Sequence, residues 1–236
     1  GRVKREPILV IMGNPPYSGI SSNINVWTEK LLKEDLDGAQ SYYKVDGQPL
    51  GEKKLWLQDD YVKFLRFAQW KIQKAGMGIV AMITNHSYLD NPTFRGMRQS
   101  LMQTFDEIYV LDLHGNSLKK ETAPDGSPDE NVFDIRQGVA IAVCVKNNQA
   151  EEHKVFHRDL FGSREQKYHW LREHAFCVDN YELLTPNKPY YFFVRRKTED
   201  ISRYLEWKKI NEIFPVNSVG IVTARDKLTI HWDTQE

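Results

Sequence analysis

Ile8-Leu9-Val10-Ile11-Met12-Gly13-Asn14-Pro15-Pro16-Tyr17 is the stretch on which the fold reading turns. Five consecutive apolar residues stopped by Gly-Asn-Pro-Pro have the form of a buried, central parallel strand ending in a turn. The alternation continues downstream. Tyr61, Phe64, Leu65, Ala68 and Ile72 follow the i, i+3, i+4 spacing of one buried helix face, behind Asp59 or Asp60 as cap. Gly76-Met77-Gly78 ends that helix and Ile79–Ile83 forms the next strand. Asn91-Pro92 then opens a helix burying Phe94, Met97, Leu101 and Met102. Ile108–Leu113 and Val139–Val145 are two more strands, separated by a Gly-, Pro-, Asp- and Lys-rich loop over Gly115–Asn131 that is expected to be mobile. This order is that of an α/β sheet with helical crossovers.

Two regions break the pattern. From Ser18 to Asp60 the chain is polar and mostly irregular, with a short helix near Val26–Glu34 and turns at Gly38, Asp46-Gly47 and Pro49. Beyond Asn148 the alternation gives way to a mixed α+β segment. It has a strand at Lys154–Phe156, helices at Arg164–Glu173 and Glu199–Trp207, and interruptions at Pro186, Pro189 and Pro215. A soft boundary therefore falls near Asn148, dividing 1–148 from 149–236.

Composition narrows the class. The 236 residues are 41% hydrophobic and 27% charged, enough apolar surface to offset the ordering entropy of a folded core. No apolar run approaches the roughly 18–20 residues of a membrane span. Two cysteines, Cys144 and Cys177, make neither a disulfide framework nor a four-cysteine zinc site, which fits a reducing, cytoplasmic home. Lys plus Arg equal Asp plus Glu at 32 each, so a nucleic-acid partner has to be argued from the site and not from net charge.

The site is Asn14-Pro15-Pro16-Tyr17. In open α/β sheets ligands bind outside the carboxyl ends of strands, where this tetrapeptide falls. Its residue types suit methylation of a planar, conjugated amino group, whose lone pair is delocalised and poorly nucleophilic. Two acceptors aimed at the two N–H bonds favour pyramidal geometry and direct the lone pair at an electrophilic methyl. Asn14 offers a side-chain oxygen, Pro15 a backbone carbonyl stiffened by Pro16, and Tyr17 a ring face for stacking. Positioning and preorganised polarity do this work without a histidine base.

Placed after this strand, the motif resembles that of S-adenosylmethionine-dependent amino-methyltransferases, and more specifically of adenine-N6 DNA methyltransferases. Leu57–Leu65, Ile83-Thr84-Asn85-His86-Ser87-Tyr88-Leu89, Leu113-His114-Gly115-Asn116 and Phe133–Ala140 resemble segments of large fused restriction–modification polypeptides. The resemblance is strong over roughly residues 6–150. Farther on, Gly220–Asp226 resembles the lead-in to a target-recognition region. The resemblance implies a partial Rossmann-like methyltransferase sheet. Asn14 and Pro15 would bind the adenine amino group, Tyr17 would stack on the base, and Asn85 and His86 would line the same pocket. Double-stranded DNA is the implied partner, with the adenine extruded from the duplex. Protein-glutamine N5 and cytosine-N4 methylation share the chemistry, and a non-catalytic DNA-contacting remnant is a reading of another class.

The family also carries a glycine-rich cofactor loop after an earlier strand. Gly76-Met77-Gly78 precedes a strand and does not open a helix, so no main S-adenosylmethionine loop is recognisable here. The expectation is a catalytic half whose partner is an N-terminal cofactor-binding part of the same polypeptide. No metal site is expected. His153 and His157, with His169 and His174 nearby, would be solvated, since i, i+4 residues on a strand lie about 13 Å apart. Cys144, Trp56 and Trp70 read as core.

Overall fold

The computed structural model describes residues 7–17, 19, 21–51, 55–147, 152–196 and 203–216, in two compact units, 1–195 and 196–236. The first holds β1 (Val10–Gly13), α1 (Val26–Lys33), β2 (Lys44–Val45), β3 (Gln48–Pro49), α2 (Asp60–Ala75), β4 (Gly78–Asn85) and α3 (Arg95–Thr104). It continues with β5 (Glu107–Asp112), β6 (Val139–Lys146), β7 (Lys154–Asp159), α4 (Arg164–Glu173) and β8 (Glu182–Leu184). In the second unit, residues 203–205 are helical and α5 spans Ile210–Ile213. Residues 199–202 of the helix expected there, and Gly220–Asp226, lie outside the described residues.

Six strands form one mixed sheet in the order β1-β4-β6-β5-β7-β8. β1 is parallel to β4 and β5 to β7, while β6 runs antiparallel between β4 and β5. A loop, not a helix, joins β5 to β6, so β6 can return beside its neighbour in the opposite sense. The sheet takes in β7 and β8, and its unit runs on to Arg195, past residue 148.

Side chains alternate between the two faces. Val80 and Met82 of β4, Ala142 and Cys144 of β6, and Ile108 and Val110 of β5 join the main core. Tyr61, Leu65, Ala68 and Ile72 of α2, and Met97 and Leu101 of α3, close it. On the opposite face Leu111, Val139 and Ile141 pack with Trp170 and Leu171 of α4. Gly76 ends α2 in the left-handed region (φ +84°), where a β-carbon is disfavoured. Asn91 caps the turn Pro92–Phe94 that leads into α3, and Ser163 with Gln166 forms a capping box on α4.

The polar excursion between β1 and α2 is held from within. Arg66, wholly buried, donates to the carbonyls of Leu31, Glu34, Ala39 and Gln40. At the hairpin tip, Asp46 and Gly47 both have positive φ, as a two-residue β-turn demands.

Three expectations are corrected. β1 is an edge strand, not a buried central one: β4 pairs with one side, and no described strand pairs with the other. Ile11 packs on the core, whereas Val10 is 57% and Met12 75% exposed on the face opposite α2. Trp56 is exposed, not core. His157 is buried, while His153, His169 and His174 are exposed. Among the described residues no helix is long and apolar enough to cross a membrane.

Candidate active site at the carboxyl edge of the sheet

Because β1, β4, β5 and β7 all point one way, their carboxyl ends gather along a single edge of the sheet. Gly13 of β1 is paired with Met82 of β4; Asn14 follows the end of β1, and Asn85 is the last residue of β4. Farther along the edge come Asp112 of β5 and Asp159 of β7, which are paired directly.

Asn14 is exposed, Pro15 buried, Pro16 exposed and Tyr17 half-buried against the main core. Tyr17 donates its hydroxyl to Asn14 Oδ1 at 3.4 Å, a long contact, and among the described residues this is the one hydrogen bond of the Asn14 side chain. Burial pushes the Tyr17 phenol up, so it remains a protonated donor near neutral pH. The buried Pro15 fixes the backbone between two groups that face solvent.

Asn85 and His86 are buried, and both ring nitrogens of His86 are engaged. Asn85 Oδ1 accepts from Ser87 N at 2.8 Å and caps the turn His86–Tyr88. His86 Nδ1 lies 3.0 Å from Asp112 Oδ1 and its Nε2 3.1 Å from the Asn116 amide nitrogen. The carboxylate can only accept, so Nδ1 carries the proton and Nε2 accepts from Asn116. His86 N also donates to Gly138 O at 2.9 Å, and the ring fills the space a β-carbon on residue 138 would need. His86 thereby ties the ends of β4 and β5 to the residue before β6.

The loop from β5 to β6 is anchored at its base, not free. Lys167 of α4, its side chain wholly buried, donates to Asp129 Oδ1 (2.8 Å), Leu113 O (2.7 Å) and Glu130 O (2.6 Å), which uses all three ammonium protons. The Asp129 side chain, equally buried, accepts from the backbone N–H of Gly115 and Gly162. Asn131 bridges the carbonyls of Gly115 and Gln137. Between this loop and the start of α4 opens a cavity of about 870 Å³, lined in part by Ser117, Phe133, Arg136 and Arg164.

Next to that base is a cluster for which the sequence gives only a weak signal. His114 has positive φ (52°), stacks on Phe161 at 3.8 Å and places Nε2 2.8 Å from Asp159 Oδ1. Its Nδ1 lies 3.6 Å from Glu121 and 3.8 Å from Asp112. Burial by itself would lower the imidazole pKa, but the Asp159 and Glu121 carboxylates outweigh it and raise it to about 9. Burial works against the Asp112 carboxylate too, yet the His86 hydrogen bond and the two nearby imidazoles hold it below its ordinary range. His157 is lowered by burial. The segment Leu113-His114-Gly115-Asn116 is part of the resemblance noted above. Asp112, closing the apolar run Ile108–Leu111, has no pattern that marks it.

No family model matches the chain, and no curated protein matches it. Solved structures do. The chain is 26% identical to the protein of the DrdV–DNA complex, with a TM-score of 0.65 over 84% of this chain. It is 28% identical to the ATP-dependent type ISP restriction–modification enzyme LlaBIII bound to DNA, with a TM-score of 0.63 over 85%. To a nuclease-deletion mutant of the type ISP restriction–modification enzyme LlaGI, in complex with a DNA substrate mimic, it is 26% identical, with a TM-score of 0.69 over 95%. The chain spans 19%, 13% and 22% of those three chains. It is thus built like one segment of type ISP restriction–modification enzymes.

Proposed function

We propose that the chain is the catalytic segment of a site-specific DNA adenine-N6 methyltransferase within a restriction–modification system, acting on duplex DNA in the cytoplasm. The observation that carries this reading is Asn14 Oδ1: exposed at the carboxyl end of β1, beside the rigid Pro15-Pro16 backbone, and contacted by one long hydrogen bond. An adenine swung out of the duplex donates one amino N–H to Asn14 Oδ1 and the other to the Pro15 carbonyl. Its ring stacks on Tyr17, whose protonated hydroxyl holds the Asn14 amide in orientation. Asn85, its side-chain oxygen held by Ser87 N, and His86, with both ring nitrogens engaged, form a wall of the pocket from the end of β4. The likeness to enzymes solved with DNA supports the choice of substrate.

S-adenosylmethionine, when bound, supplies the methyl group. Its main cradle does not fit the described residues: Gly76 and Gly78 lie between the end of α2 and the start of β4, and no glycine-rich turn among them leads from a strand into a helix. The cofactor is therefore assigned to an N-terminal part of the same polypeptide, docked on β1. The outer edge of β1, with which no described strand pairs, and the exposed Val10 and Met12 beside it support that arrangement. Residues 1–148 carry the catalytic half, and 149–236 lead into target recognition.

The test is Asn14→Ala in the complete enzyme, read by nucleoside mass spectrometry of methylated duplex DNA. N6-methyladenine formation should fall by about 100-fold or more, with DNA affinity retained. An unchanged rate, or a product methylated only at cytosine N4, would refute the reading.

A further inference from the structure

Asp112, His114 and Asp159 stand where the ends of β5 and β7 meet, and their ligand atoms all lie within 4.8 Å of one another. The direct pairing of Asp112 with Asp159 creates this meeting, and His157, two residues before Asp159, projects from the same face of β7. His157 is only 4% exposed, and its Nε2 has no hydrogen-bond partner among the described residues. That nitrogen lies 3.7 Å from Asp159 Oδ1. An imidazole nitrogen buried without a partner costs free energy unless something fills the gap.

Charge points the same way. The carboxylates of Asp112, Glu121 and Asp159 surround His114, and among the described residues no Lys or Arg comes within 4.0 Å of any of them. Three carboxylates thus share a partly buried site that no described Lys or Arg side chain neutralises directly. Asp112 uses Oδ1 for His86 and for the backbone of His114, which leaves Oδ2 as a donor already oriented from behind.

The geometry points to a binding site for a first-row divalent cation of the zinc type, held by Asp112, His114 and Asp159 with His157 as fourth ligand. Two imidazoles and two carboxylates are a donor set that zinc accepts, with bonds of about 2.0–2.2 Å and ligands roughly 3.3 Å apart in a tetrahedron. Asp112, His114 and Asp159, within 4.8 Å of one another, need to close by about 1.5 Å at most, and the His157 ring, which lies outside that grouping and 3.7 Å from Asp159 Oδ1, has to swing farther to join them. A second grouping, His86 with His114 and Glu121, is set aside because both ring nitrogens of His86 are already in use. A cation here would clamp the root of the β5–β6 loop to β7. It takes no part in the proposed methyl transfer and does not depend on it.

The experiment strips the full chain with EDTA, titrates zinc by calorimetry and follows thermal melting with and without zinc. One equivalent per chain should bind and raise the melting temperature. Asp159→Asn, isosteric and at a half-exposed position, should weaken binding at least tenfold, as should His157→Ala. His169→Ala and His174→Ala, at exposed positions, should leave it unchanged. If His157→Ala fails to fold, Asp159→Asn decides. Absence of binding at millimolar zinc overturns the proposal, as does binding that Asp159→Asn leaves intact, which would be adventitious.

Discussion

Replacing Lys167 with methionine keeps the length of the side chain and removes its charge from a site where both Lys167 and Asp129 are wholly buried. The loss is not a surface ion pair of a few tenths of a kcal/mol. Asp129 keeps its carboxylate in the interior, while the carbonyls of Leu113 and Glu130 lose their donor. Breaking a buried pair from one side costs about 3–5 kcal/mol, chiefly because the remaining charge is uncompensated. Set against a typical domain stability of about 5–15 kcal/mol, that is a large share, and it corresponds to a fall in Tm of roughly 6–20 °C. Urea unfolding gives the free energy, and hydrogen exchange gives its location: the amides of Gly115 and Gly162, which donate to Asp129, should lose protection first. The double variant Lys167→Met with Asp129→Leu separates two views of the pair. If it were only an ion pair, removing both charges would restore stability; here the two glycine amides are left without an acceptor, at about 1–3 kcal/mol each, so recovery should be partial. A loss below about 1 kcal/mol in Lys167→Met would mean that Asp129 is solvated and that the strut does not exist.

Other variants probe separate joints. In Gly138→Ala the new β-carbon would lie 2.3 Å from His86 ring atoms, so the ring must leave Asp112 and Asn116; urea unfolding should show a loss of about 2–4 kcal/mol. Gly13→Ala, where nothing lies within 4 Å, should cost little by the same measure. The Tyr191 hydroxyl, despite opposing desolvation, holds the Asp46 carboxyl below its ordinary value, with help from Lys188 and Gln99. The charged form is thus favoured in the folded chain: the stabilisation is complete above the ordinary carboxylate range and disappears as pH falls through the lowered value. Asp46→Asn should therefore be less stable at neutral pH and show a flatter acid limb in denaturant midpoints, and an unchanged limb would remove Asp46 from the account. Met12→Lys should leave the melting of this chain unchanged, within about 0.5 kcal/mol, because residue 12 faces solvent. In the complete enzyme it should weaken S-adenosylmethionine binding, measured by calorimetry, if the cofactor part docks on β1.

How legible all this was depends on whether the determining contacts are local. Apolar patterning places α2, β4 and β6 within a residue or two, and Gly76 marks the end of α2. β1 shows the limit of the same signal. Five apolar residues in a row announce that a strand will be covered; they cannot say by what, and here two of the covering surfaces are absent from its described surroundings. The loop after β5 reads as mobile from its Gly, Pro and Asp content, yet Lys167, 38 residues beyond Asp129 in the chain, fixes it through one ammonium. The histidines make the point most sharply. Spacing along an extended chain separates His153 from His157, and on that ground a shared ligand looks excluded. What spacing along one strand omits is the neighbouring strand: Asp112 and His114 arrive through the β5–β7 pairing, a register that no single segment encodes. A buried polar cluster of this kind is built from residues that look solvated one at a time, and it becomes visible only when two strand ends are laid side by side.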